Sequence, residues 1–153
     1  MIYARKMKKW GSFCLYLSMF LVATIGHTHD TAKGPVVVSF GDIFFDLEGY
    51  NLRESSQKII ETNAQIVNAL QSATILIQGY ADSRGSTEYN AILAERRAKA
   101  VLRYFIANNV DEDRIKIVSY GEEKPQCLED TEDCWQLNRR IHIIVTEEAR
   151  DEQ

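Results

Sequence analysis

Residues Gly79–Val101 read GYADSRGSTEYNAILAERRAKAV, and the fold turns on how this stretch is divided. An apolar, β-like run, Thr74–Gln78, leads into it, and Gly79 to Gly85 then form a loop punctuated by glycine. Beyond the loop, Ser86 or Thr87 offers a side-chain oxygen to cap a long helix. Ala94, Ala98, Val101 and Phe105 recur at helical spacing and form its buried stripe, whose small residues let the backbone lie close to a sheet. Asn90, Leu93 and Arg97 make a neighbouring stripe and share one face. A carboxylate, Asp82, therefore stands in the loop and a guanidinium, Arg97, on the helix. If the helix folds back over the strand end, opposite charges from two segments converge, which suits a zwitterionic ligand. Asp82 can accept from an ammonium, and Arg97 can grip a carboxylate with two parallel N–H bonds. The alternative is an internal Asp82–Arg97 salt bridge tying helix to loop. These residues alone do not separate the two.

Working outward, Asn108-Asn109 ends the helix. Upstream, VVVSF and IFFDL around Gly41-Asp42 predict a first strand with a small one before it. From Arg53 or Ser55 to Leu70 the pattern is helical, with Ile59, Ile60, Ile66, Val67 and Leu70 expected on one buried face. Downstream, Arg114–Tyr120 alternates as a half-buried strand that Gly121 ends; GEEKP opens a loop, and Asn138–Val145 supplies the last strand. The order β-α-β-α-β-loop-β predicts an α+β sandwich, two main helices on one mixed sheet. No internal repeat is visible.

With 153 residues there is room for one domain and a short extra segment. Residues 1–26 carry Arg5, Lys6, Lys8 and Lys9 and no acids, followed by an apolar run from Phe13 to Gly26. This reads as a secretory signal, 1–26, too short for the ~20 apolar residues of a spanning helix; an uncleaved inner-membrane anchor is the competing reading. Residues 27–35 read as a linker, 36–148 as the folded domain and 149–153 as a polar tail. His27 and His29 could bind a metal weakly, but a polar linker accounts for them, and no metal or cofactor is expected. Of 18 basic and 22 acidic residues overall, four basic ones leave with the signal, so 14 against 22 remain, a charge of −8. So acidic a domain is no partner for nucleic acid. Cys127 and Cys134 bracket an acidic loop; in an exported chain they predict a disulfide, since zinc would need further ligands.

No GxSxG elbow, GxxxxGK loop or HExxH helix is present, and His142, inside an apolar strand, reads as structural. No carboxylate pair is singled out by spacing, so the chain is not expected to be an enzyme. Recognition remains. Five segments in order carry a resemblance: FFD at Phe45, GYADSRG at Gly79, EYNAILAERRAKAV at Glu88, SYGEEKP at Ser119 and NRR at Asn138. Together they resemble the OmpA-like peptidoglycan-binding domains, and among them the peptidoglycan-associated lipoproteins, over about Val38–Val145.

The resemblance implies a domain that holds the peptidoglycan stem peptide non-covalently, in the periplasm on the outer-membrane side. By motif, Asp82 and Arg97 would clasp the amino and carboxylate groups of diaminopimelate. Asn90, Leu93, Asn138 and Arg139 would shape the rim, the backbone of Phe45-Asp46 would help seat a carboxylate, and Tyr80 would stand where the family often has His. It also implies a Tol-system partner such as TolB. One departure is plain: Cys14 lacks a preceding lipobox, which disfavours the acylation usual in that group. A stator-like, inner-membrane-anchored wall binder and a periplasmic wall hydrolase are the alternatives.

Overall fold

Strands β1 (Val36–Phe44), β2 (Thr74–Tyr80), β3 (Ile115–Gly121) and β4 (Arg140–Glu147) hydrogen-bond in the order β1-β4-β2-β3 in a computed structural model that describes residues 34–148. The signal segment, Cys14, the His27–His29 tract, the linker up to residue 33 and the tail 149–153 lie outside the described residues. β4 pairs antiparallel with both β1 and β2, while β3 pairs parallel with β2, so the sheet is mixed. Helices α1 (Glu54–Ala69) and α2 (Thr87–Ala107) are the two long ones, and a short α3 (Glu132–Asn138) precedes β4. Alternation along β4 sends Ile141, Ile143 and Val145 into the core with Phe40, Ile43, Ile75 and Ile77. The helices contribute Ile60, Ala64, Val67, Ala98, Val101 and Phe105 to the same cluster. The α+β architecture is the expected one.

Several local expectations need correction. Upstream there is one strand, not two, with a register shift between Phe40 and Ile43 that absorbs Gly41-Asp42 as a bulge. β2 runs on to Tyr80, so Gly79 lies in the strand. On α1, Ile59 and Ile66 are exposed; the buried face is Ser56, Ile60, Asn63, Ala64 and Val67. The five apolar positions span a wider arc than the core covers, and the pair seven residues apart falls on its solvent side. Asn138 ends α3 and does not open β4.

α3 arises from a cap. Thr131 accepts a hydrogen bond from the Cys134 amide at 3.3 Å, and Glu132 and Asp133 fill the first turn. Cys127 and Cys134 are joined in a disulfide with a Cα separation of 5.2 Å. Buried Asn138 closes the other end, accepting from the Gln126 and Cys127 amides and donating to the Cys127 carbonyl. The disulfide should stabilise the domain by about 2–3 kcal/mol through its small closed loop. Urea unfolding of Cys127→Ser/Cys134→Ser is expected to show that loss; a midpoint equal to wild type would mean that the Asn138 hydrogen bonds suffice.

Candidate functional site

A solvent-open cleft of about 210 Å³ lies where the β2–α2 loop, the first half of α2, the β1–α1 loop and Arg139 meet. Its lining is Leu47, Glu48, Asp82, Arg84, Gly85, Tyr89, Asn90, Leu93, Arg97 and Arg139. Asp82 and Arg97 thus reach one cavity, but not as an ion pair. Arg97 is fully buried, and its guanidinium gathers three main-chain carbonyls: Gly49 at 2.8 Å, Asp46 at 3.1 Å and Tyr80 at 3.2 Å. These come from two segments that flank the cleft. Of its five N–H groups, three are engaged in these bonds, and one on each terminal nitrogen stays uncommitted among the described residues. Burial pushes the Arg97 pKa down to about 10; the Asp82 charge opposes that shift and Arg139 adds to it. The group is cationic at neutral pH.

Asp82 is held by other arginines. Its Oδ1 accepts from the Arg84 amide at 3.1 Å and from Arg84 Nε at 3.2 Å; its Oδ2 accepts from Arg84 Nη2 at 2.7 Å and Arg139 Nη1 at 3.0 Å. Burial works to raise its pKa, but the hydrogen bonds from Arg84 and Arg139 outweigh it and hold the carboxyl below its ordinary range. Arg84 lies over the Trp135 ring at 4.2 Å, and Arg139 is nearly buried, donating also to the Phe45 carbonyl. The Ser86 hydroxyl caps α2 by accepting from the Tyr89 amide at 3.2 Å, which fixes where Tyr89, Asn90 and Leu93 meet the cleft. Gly85, at φ +105°, turns the loop into that cap.

An OmpA-family model matches residues 44–139, the span from the end of β1 to the last cleft residue. The chain belongs to the OmpA family. It is 35% identical over 129 residues to a peptidoglycan-associated lipoprotein of Brucella melitensis, covering 84% of this chain and 74% of that one. A crystal structure of the peptidoglycan-associated lipoprotein from Burkholderia pseudomallei superposes with a TM-score of 0.67 at 35% identity, covering 68% of this chain and 88% of that one. The C-terminal domain of Helicobacter pylori MotB shares the fold at 22% identity, with a TM-score of 0.65 and coverage of 74% and 87%.

Within this OmpA domain the residues singled out from sequence divide into two groups. Asp82, Asn90, Leu93, Arg97 and Arg139 line the cleft. The side chains of Phe45, Asp46, Tyr80 and Asn138 do not. Phe45 is buried core, and its carbonyl is taken by Arg139 and Gln136. Asp46 turns its carboxylate outward to Arg53, and its carbonyl is taken by Arg97. Tyr80 donates to Gln78 Oε1, stacks on Tyr120 and carries Arg140 over its ring; only its carbonyl supports the cleft, through Arg97. Asn138 serves the disulfide loop. His142 faces away from the helices, with Nδ1 2.6 Å from Asp42 and Nε2 3.1 Å from Ser39.

The residues that sequence reasoning missed are Leu47, Glu48, Arg84, Gly85 and Tyr89. Arg84 carried a usable signal, a basic residue two places after the loop aspartate and just before a glycine. Leu47 and Glu48 carried none. Among the described residues, no helix is long and apolar enough to cross a membrane and no three metal-ligating side chains cluster.

Proposed function

We propose that the cleft holds the diaminopimelate side chain of a peptidoglycan stem peptide, and that the protein tethers an envelope layer to the cell wall without covalent chemistry. The observation that carries this reading is one cavity holding an ionised carboxylate and, separately from it, a buried cation with two N–H groups to spare. A diaminopimelate end is a zwitterion: its carboxylate meets the N–H groups of Arg97, and its ammonium takes the place of the partly exposed Arg84 on Asp82, whose acceptor sites are filled in the free protein. Kinship with peptidoglycan-associated lipoproteins supports the same ligand. Binding is preferred to hydrolysis because a general acid needs a raised pKa, whereas Asp82 is held down by two guanidiniums. A single stem peptide binds modestly; repeated copies along the wall turn this into durable attachment. Placement in the periplasm at the outer-membrane side, and a Tol-system partner such as TolB, belong to this proposal through the same kinship.

A pull-down on purified sacculi tests it. Asp82→Asn keeps the shape and removes the charge, and loss of a charge-assisted hydrogen bond of ~1.5–3 kcal/mol should cut binding about 10- to 100-fold, with circular dichroism unchanged. Failure of wild type to bind sinks the tethering reading. Equal binding by wild type and variant moves the site out of this cleft.

A further inference from the structure

Glu132 is not part of the cleft lining, yet it bonds both guanidiniums that hold Asp82. Its Oε1 accepts from Arg139 Nη2 at 2.7 Å and its Oε2 from Arg84 Nη1 at 3.3 Å. Asp82, Arg84, Glu132 and Arg139 therefore close a ring of alternating sign. The placement of Glu132 is built in: it is the first residue of α3, directly after the Thr131 cap, on a helix braced by the disulfide and by Asn138.

The ring matters for charge. The charged residues of the lining are Glu48 and Asp82 against Arg84, Arg97 and Arg139, a net of +1. With two guanidiniums on one carboxylate, Asp82 alone is over-compensated, and an approaching ammonium meets net positive potential. Glu132 offsets that surplus and brings the ring of Asp82, Arg84, Arg139 and Glu132 to zero.

We propose that Glu132 is a specificity-determining residue of the cleft, whose charge offsets the second guanidinium on Asp82 and so selects ligands bearing a free ammonium. The inference rests on the reading of the cleft given above. Glu132 does not touch the ligand; it acts through Arg84 and Arg139. Its side chain is 60% exposed, so the field is partly screened and the effect is moderate, about three- to tenfold at low salt.

The test uses a stem peptide with a free diaminopimelate amine and the same peptide acetylated at that amine, titrated into the full-length protein and followed by NMR. Glu132→Gln keeps a hydrogen-bonding side chain without charge. It should weaken binding of the free-amine peptide about three- to tenfold and leave the acetylated one unchanged, and the difference should fade near ~1 M salt, where the Debye length is ~3 Å. Asp133→Asn removes the same charge from the adjacent, exposed position, which bonds neither guanidinium, and should leave both titrations as in wild type. Equal weakening for both peptides would make Glu132 a scaffold residue and overturn the inference, as would no change for either. If wild type binds neither peptide, the binding reading itself falls and this inference with it; if wild type binds and Glu132→Gln matches it, only the inference falls.

Discussion

Arg97→Ala is expected to lose about 3–5 kcal/mol of folding stability, a large share of what a domain of this size has. The substitution strips the partner from three carbonyls, those of Asp46, Gly49 and Tyr80, each costing ~1–3 kcal/mol when left unpaired. It also opens a void where the largest fully buried side chain of the domain stood. Relief from burying a cation returns part of this, since burial already depresses the Arg97 pKa. Urea unfolding reads the outcome, and a variant within about 1 kcal/mol of wild type would show that water entering the cleft replaces the guanidinium. Loss of ligand binding by Arg97→Ala therefore cannot by itself establish a ligand contact. The charge-only variant at Asp82 is the cleaner probe.

Gly79→Ala is the second large effect, and it acts through space, not charge. A Cβ on Gly79 would lie well inside van der Waals contact with the Ala94 carbonyl oxygen and 2.9 Å from its carbonyl carbon. Both obstacles are backbone, so no side chain can swing aside; α2 must move off β2. Overpacking of this kind costs ~1–3 kcal/mol, and the upper end or beyond is expected where a helix has to shift. The shift would also carry Asn90, Leu93 and Arg97 away from the loop that bears Asp82. Thermal unfolding together with the sacculus pull-down should show both stability and binding reduced. A variant with wild-type melting would mean that α2 does not rest on the sheet at Ala94.

What the sequence made legible was whatever has a periodic or strictly local signature. The Ala94-Ala98-Val101-Phe105 stripe is buried throughout because a 3.6-residue period projects onto one face whatever lies beneath it. The meeting of Asp82 and Arg97 in one cleft follows from a strand, a short loop and a returning helix, and it too could be read. What Arg97 bonds to could not. Its partners are main-chain carbonyls, those of Asp46 and Gly49 lying 51 and 48 residues upstream and that of Tyr80 17, and a carbonyl has no residue type. Of the two holders of Asp82, Arg84 was legible two places along the loop, whereas the bond from Arg139 was not, because Arg139 arrives from a β4 approach 57 residues later. α3 was missed because seven residues hold too little period, although Thr131 followed by two acids was a capping signature in plain sight. The one apolar face of α1 is in turn wider than the core beneath it, which leaves Ile59 and Ile66 at its exposed margin.

The three carbonyls on Arg97 have a mechanical side. A tether works in tension, and any pull on the Arg97 guanidinium is shared between α2, which bears it, the end of β2 and the turn that follows β1. β2 is an interior strand, hydrogen-bonded on both edges, to β4 and to β3. Load entering there meets backbone hydrogen bonds on both sides of the strand, where an edge strand would have them on one side only. The same side chain that completes the cleft is thus a fitting through which force passes into an interior strand.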